Sequence, residues 1–174
     1  PTFKMSTLDG TNSNLDLLKD FANDGKPLVL NFGSCSWPPF RVHAQHLETI
    51  KEKFGASANF LTVYIAEAHA SDEWTLRGQQ NAEMNGKWDV AVAQTMAQRL
   101  KAANEWVRYL QPTMDYVVDM MEDEARLAYG AWPERLAILE HGRIQYYGGQ
   151  GPWGYHPSEV EKWLEQRFGD SSKL

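Results

Sequence analysis

The chain's only cysteine lies where a short apolar stretch meets two prolines. Residues 27–32 are typical of a buried strand, and the small residues 33–36 after them allow a tight turn. Pro38 and Pro39 fit the first turn of a helix, where backbone N–H groups have no partner within the helix. A helix N-terminus lowers the pKa of a nearby thiol and so favours the thiolate. Cys35 is therefore a candidate nucleophile, with a small buried core residue as the alternative.

The hydrophobic spacing predicts the elements that must position this thiol. Helical spacing predicts five helices, over residues 12–24, 38–54, 90–109, 122–129 and 157–168. Apolar, β-branched and aromatic runs predict five strands, over residues 27–32, 59–65, 114–118, 135–139 and 143–147. Between these elements, residues 66–86 form a polar loop, and His141 with Gly142 forms a hairpin turn. The first strand–helix–strand unit implies a right-handed crossover and a parallel pair.

This order of elements is typical of a thioredoxin-like α/β fold with an insertion between the second crossover strand and the final hairpin. We expect a core over about residues 26–168 and an insertion over about 66–113. In that fold the reactive thiol lies where the first crossover helix begins, and a cis-proline before the hairpin faces it. Pro133 occupies that place, so the fold analogy predicts a cis Trp132–Pro133 bond, although only about 5% of such bonds are cis.

The composition is that of an ordinary globular domain. The chain has 174 residues, 43% of them hydrophobic and 23% charged, which suits one sizeable core and is too short for two. A net charge of −6 argues against nucleic acid as a partner. No apolar run approaches the roughly 20 residues that cross a membrane. We therefore expect a single domain over residues 1–174 in the cytoplasm, and a membrane anchor upstream of Pro1 stays open.

Four segments resemble the iodothyronine deiodinase family. Residues 31–40, Asn-Phe-Gly-Ser-Cys-Ser-Trp-Pro-Pro-Phe, are similar to its active-site segment, Asn-Phe-Gly-Ser-Cys-Thr-selenocysteine-Pro-Pro-Phe. Residues 64–74 contain Tyr-Ile-x-Glu-Ala-His, residues 128–136 contain Pro-Glu-Arg-Leu, and residues 148–155 contain Gly-Pro-Trp-x-Tyr. Their order and spacing agree along most of the chain. The resemblance implies the peroxiredoxin/deiodinase variant of the thioredoxin-like fold.

The resemblance also implies a proton-delivery network made of Tyr64, Glu67 and His69. Histidine suits this role because its pKa lies near neutral and a neighbouring carboxylate sets its tautomer. Without the resemblance, His69 is typical of a surface histidine and Tyr64 of a core residue.

A substrate-binding set is implied by the resemblance as well. Arg135 would bind the carboxylate of an amino-acid substrate through a bidentate fork, with Pro133 and Trp132 beside it. The alternative interpretation is that Glu134 and Arg135 form a solvated pair at a strand edge. No metal is expected, because His43 and His46 lie three residues apart on a helix without a third ligand.

Trp37 departs from the family, which has selenocysteine at this position. Indole is neither a nucleophile nor readily oxidised and reduced again, so it cannot replace selenocysteine. The codon is a UGA decoded as tryptophan, or Cys35 is the working thiol beside an apolar Trp37, or the chain is a natural non-enzyme. We favour the first explanation, because UGA differs from the tryptophan codon UGG by one base. The chain as written should then be inactive or weak, and its selenocysteine form active.

Two classes of function follow. The first is an oxidoreductase that removes iodine from iodinated phenolic or thyronine-type compounds, or a related peroxiredoxin-like peroxidase. The second is a non-catalytic protein that binds an aromatic ligand. The expected partners are a small iodinated aromatic substrate and an external thiol reductant, because a single thiol leaves no resolving cysteine. No other cofactor is expected, and the family implies a possible homodimer.

Overall fold

In the computed structural model, which describes residues 3–73 and 87–169, six strands pair into one mixed sheet. The strands are β1 (Met5–Thr7), β2 (Leu28–Gly33), β3 (Asn59–Tyr64), β4 (Asp115–Asp119), β5 (Arg135–Glu140) and β6 (Arg143–Tyr147). The helices of these residues are α1 (Leu17–Phe21), α2 (Pro38–Phe54), α3 (Met96–Leu110), α4 (Glu124–Ala128) and α5 (Pro157–Phe168). The strand order across the sheet is β1-β4-β3-β2-β5-β6.

Both faces of the sheet are covered, which explains why its central strands are mostly apolar. Strands β2, β3 and β4 are parallel, and β1, β5 and β6 run antiparallel to their neighbours. Along β2, Val29 packs into the core beneath α2, α3 and α5, whereas Leu28 and Leu30 pack into the core beneath α1 and α4. A strand buried on both faces has no polar side to alternate with its apolar one.

The predicted parallel pair and the predicted hairpin are both confirmed. Strands β2 and β3 pair in parallel over their full length. His141 and Gly142 join β5 to β6 with φ angles of 51° and 71°. Two positive φ angles in succession are what a type I′ hairpin turn requires.

Helices α2 and α5 have the predicted bounds, and the other three are shorter than expected. The helix predicted over residues 12–24 begins only after Asp16, whose carboxylate accepts hydrogen bonds from the N–H groups of the first turn. The helix predicted from residue 90 begins after Thr95, because Thr95 and Gln98 form a capping box there. The helix predicted over residues 122–129 is reduced to α4.

Strand β1 was not predicted. Its three residues pair antiparallel with β4, so that Met5 lies opposite Asp119. Residues 74–86, which include Trp74 of the second resembling segment, lie outside the described residues. The division into a core and an insertion over 66–113 stays a prediction. No helix in the described ranges is long and apolar enough to cross a membrane.

The sheet brings three loops to one edge. Gly33 and Tyr64, the last residues of the parallel strands β2 and β3, lie side by side. Phe32 pairs with Arg135, the first residue of β5. The segments that follow β2 and β3 therefore meet the segment that precedes β5, and these segments hold the residues predicted as the site.

Candidate active site

Residue 37 lies at the N-terminus of α2, facing the loop that follows β3. Trp37 is the N-cap residue of α2, and only 6% of its surface is exposed. The His69 ring stacks on the indole, with 5.1 Å between ring centroids and 25° between planes. His69 has a φ of 59°, in the left-handed region that few residues other than glycine adopt. The structure thus brings two predicted site residues into contact.

Tyr64, Glu67 and Ser36 form a hydrogen-bonded group beneath this stack. Glu67 accepts hydrogen bonds from the Ser36 backbone N–H at 3.1 Å, from the Ser36 hydroxyl and from the Tyr64 hydroxyl. Burial raises the pKa of Glu67, although the bonds from Ser36 and Tyr64 oppose the rise. The predicted link between Tyr64 and Glu67 is therefore present in the structure, and Ser36 is an additional member that the sequence did not indicate.

Cys35 lies against the same group, but its environment disfavours the thiolate. The Tyr64 hydroxyl lies 3.0 Å from Cys35 Sγ, and the Cys35 side chain has no exposed surface. Burial, followed by the charge of Glu67, raises the pKa of the Cys35 thiol well above its ordinary value. The neighbouring Tyr64 hydroxyl and the charge of Arg41 oppose the rise without reversing it. Loss of water at this buried position therefore opposes the effect that the helix N-terminus was predicted to have on the Cys35 thiol.

Glu134 is a site residue that sequence reasoning missed. It is fully buried, and neither of its carboxylate oxygens has a hydrogen-bond partner. Burial raises the pKa of Glu134 to about 7, and the Trp37 indole N–H opposes that rise, although the two groups are not aligned as a hydrogen bond. The interpretation of Glu134 as half of a solvated pair is wrong. Its place directly after Pro133, which was predicted to face the site, was the available signal.

Gly151 closes the space around Glu134. A Cβ atom on Gly151 would lie 2.3 Å from Glu134 Cγ and 2.4 Å from Oε1, too close for any real contact. The Gly151 backbone N–H also donates to the Glu134 carbonyl oxygen at 3.2 Å. The glycine of the Gly-Pro-Trp segment therefore provides close backbone packing against the buried carboxyl group.

The predicted substrate-binding residues hold the loops of the site together. The predicted cis bond between Trp132 and Pro133 is present. The Trp132 indole is 37% exposed and donates to the Glu67 backbone carbonyl at 3.3 Å. Arg135 donates to the carbonyls of Gly130 and Gly148, and its guanidinium lies 4.4 Å from the centre of the Tyr147 ring. Contact of these residues with a substrate stays a prediction.

The described residues contain no group of three or more His, Cys, Asp or Glu side chains that could hold a metal ion. His46, one of the two histidines considered from the sequence, lies 3.6 Å from Glu161 instead.

Solved structures with a similar fold define the class of the protein. One is a secreted Mycobacterium tuberculosis disulfide oxidoreductase homologous to E. coli DsbE, with a TM-score of 0.62, 13% identity and coverage of 95% of this chain and 96% of that chain. Another is an exposed lipoprotein thioredoxin of Streptococcus pneumoniae, with a TM-score of 0.60, 15% identity and coverage of 95% and 99%. These similarities identify a thioredoxin-like fold.

Sequence relatives define the family. The model of the family described as iodothyronine deiodinase matches residues 1–168. Type II iodothyronine deiodinase of Sus scrofa is 38% identical over 169 residues, which cover 96% of this chain and 60% of that protein. Thyroxine 5-deiodinase of Gallus gallus is 37% identical over 166 residues, which cover 95% and 60%. The chain belongs to the iodothyronine deiodinase family, and it spans about three fifths of the length of these relatives.

Proposed function

We propose that the protein, with selenocysteine at position 37, catalyses reductive deiodination of an iodinated phenolic or thyronine-type compound. The observation that carries this proposal is the stacking of His69 on residue 37, because it sets a proton-bearing ring against the place of the family's nucleophile. The names of the relatives support an iodothyronine as the substrate class. The external reductant is a thiol.

The proposed reaction has three balanced steps. The selenolate attacks iodine, so that the carbon–iodine bond breaks, a selenium–iodine bond forms, and the ring carbon takes a proton. A reductant thiol then attacks selenium and releases iodide and a proton. A second thiol reduces the selenium–sulfur bond, which regenerates the selenol and forms a disulfide.

His69 is the proposed proton donor to the ring carbon. Its ring lies over residue 37, where the substrate ring must approach the nucleophile. Glu67 comes two residues earlier in the same loop, and the hydrogen bonds that it accepts from Ser36 and Tyr64 fix the position of its carboxyl group. We assign Glu67 and Tyr64 to the supply of the proton that restores His69.

The chain with Trp37 is proposed to be inactive or weak. Indole supplies no soft nucleophile, and Cys35 does not replace it, because its thiol is fully buried and its pKa is raised. The alternative function, binding of an aromatic ligand without turnover, applies to this Trp37 form. A cytoplasmic location and a homodimer stay predictions; light scattering of the purified chain tests the second.

Iodide release tests the proposed function. The chain as written, Trp37→Cys and Trp37→selenocysteine are incubated with an iodothyronine or an iodophenol and excess dithiol. We expect iodide only when position 37 carries sulfur or selenium, with selenium the faster. His69→Ala in the active form should reduce the rate about 100-fold, the lower end of general-acid contributions. His46→Ala, an exposed histidine on α2, serves as the matched control and should leave the rate unchanged.

Two results would contradict the proposal. Iodide release by the Trp37 chain that is abolished by Cys35→Ser would assign the reaction to Cys35. No iodide from any variant, with peroxide reduced by the selenocysteine form, would favour the peroxidase instead.

A further inference from the structure

The backbone of Cys35, in the turn between β2 and α2, is held by two side chains from outside the turn. Its N–H donates to the Tyr64 hydroxyl at 3.3 Å, and its carbonyl oxygen accepts from Arg41 Nη1 at 2.5 Å. Cys35 is fully buried, and a buried backbone group needs such a partner. Tyr64 belongs to the proposed proton network, whereas the proposed reaction gives Arg41 no role.

Arg41 reaches this carbonyl group across the first turn of α2. It is a half-buried residue four positions after residue 37, and its backbone N–H donates to the Trp37 carbonyl oxygen at 3.4 Å. Its side chain returns past that turn to the Cys35 carbonyl oxygen. Because consecutive Cα atoms lie about 3.8 Å apart, the Cα atom of residue 37 is at most about 7.6 Å from that of Cys35. The guanidinium is therefore anchored two residues from the place of the family's nucleophile.

The other titratable groups around residue 37, within the described ranges, carry no permanent positive charge. They come from the turn, from β3 and the loop after it, and from the segment before β5, and they are Cys35, Tyr64, Glu67, His69 and Glu134. Thiol, phenol and carboxyl groups are neutral or negative, and histidine loses its charge near neutral pH. Arginine keeps its charge throughout the range in which a thiol titrates. The charge of Arg41 already acts to lower the pKa of the Cys35 thiol, although burial raises it more.

We propose that Arg41 is a positioning residue of the candidate active site, which holds the turn that carries residue 37 and keeps a permanent positive charge next to it. This inference rests on the proposed function for its purpose, because a selenolate or thiolate at position 37 is the nucleophile of that reaction. The anchored charge stabilises this anion relative to its protonated form. The hydrogen bond to the Cys35 carbonyl keeps the charge in place, since an unanchored arginine side chain would sample many rotamers in water.

Alkylation of a single thiol tests this inference without any deiodination. The parent protein carries Cys35→Ser and Trp37→Cys, so that its only thiol is at position 37. Its reaction with iodoacetamide is followed by mass spectrometry from pH 5 to pH 10, alone and with Arg41→Met or Arg41→Lys. Arg108→Met, which removes a positive charge from an exposed position of α3, is the matched control.

We expect Arg41→Met to raise the thiol pKa and to slow alkylation at pH 7 about threefold to tenfold, which corresponds to a shift of roughly 0.5 to 1 pKa unit. This is the size expected for a charge several ångströms away that water and salt partly screen. Arg41→Lys keeps the charge and should restore the parent profile, and Arg108→Met should leave that profile unchanged. If Arg41→Met does not fold, Arg41→Gln tests the charge in its place, because the amide still offers a donor to the Cys35 carbonyl.

Two results would overturn the inference. A merely structural Arg41 would lower the free energy of unfolding when it is replaced and would leave the thiol pKa unchanged. An equal shift of the thiol pKa in Arg41→Lys and Arg41→Met would show that the charge at position 41 does not act on position 37. Both results can be obtained whether or not the selenocysteine form releases iodide, so failure of the proposed function is a separate outcome.

Discussion

The buried carboxyl group of Glu134 makes the stability of the chain depend on pH, and Glu134→Gln should remove the contribution of this group. The pKa of Glu134 is raised by burial to about 7 from an ordinary value of 4.5. Below pH 4.5 the group is protonated in both the folded and the unfolded chain and does not lower the free energy of unfolding. Above about 7 it is ionised in both, and the folded chain carries the full cost of a buried charge. Stability from this group is therefore lost as the pH rises from 4.5 to about 7.

The difference of about 2.5 pKa units corresponds to roughly 3 kcal/mol at about 1.36 kcal/mol per unit. When the pH is raised from 4.5 to 8, we expect the free energy of unfolding of Glu134→Gln to increase by about this amount relative to that of the parent chain. For a chain of this size that gain equals a relative increase in Tm of roughly 6–12 °C. Urea unfolding at the two pH values measures it directly.

Glu105→Gln, a change of the same charge on an exposed position of α3, controls for the altered net charge. It should alter the stability difference between the two pH values by much less than Glu134→Gln. An equal change in stability at pH 4.5 and pH 8 on Glu134→Gln would show that Glu134 is not a buried charge at the higher pH.

Three further substitutions test the packing around the site and the start of α3. Gly151→Ala should cost about 1–3 kcal/mol in urea unfolding, because its Cβ would collide with Glu134, and the loss should shrink in a double variant with Glu134→Ala. Thr95→Ala should remove the capping box of α3 and lower Tm by roughly 2–4 °C, which corresponds to about 1 kcal/mol; an unchanged Tm would contradict that role. Tyr155→Phe should cost about 1–3 kcal/mol, because it leaves the buried amide oxygen of Asn31 without its donor; a neutral result in calorimetry would contradict this.

Local sequence signals were sufficient for the elements that carry residue 37. An apolar run followed by small residues and two prolines predicts a strand, a turn and a helix start without reference to the rest of the chain. The hairpin at His141 and Gly142 is equally local, because two left-handed residues in succession define the turn. The cis bond before Pro133 could not be predicted from a local signal, since only the analogy with a known fold indicated it.

Burial at the site could not be predicted from local signals. The pattern around Cys35 predicts an activated thiol, but Tyr64 and Glu67 approach it from a distant strand and loop and exclude water. Glu134 stands beside Arg135 in the sequence and resembles a surface pair. Its burial depends on Gly151, which comes from the loop after β6. Strand β1 was missed for the same reason. Its three residues pair with β4, which lies more than 100 residues later in the sequence.

The stacking of Trp37 on His69 has a consequence for how the chain as written relates to its selenocysteine form. The N-cap conformation of residue 37 uses no side-chain hydrogen bond, so α2 does not depend on the indole. Exchanging the indole for a single selenium atom would empty a ring-sized volume beside His69. The Trp37 chain and its selenocysteine form therefore differ in the volume left free beside His69, while the start of α2 is the same in both.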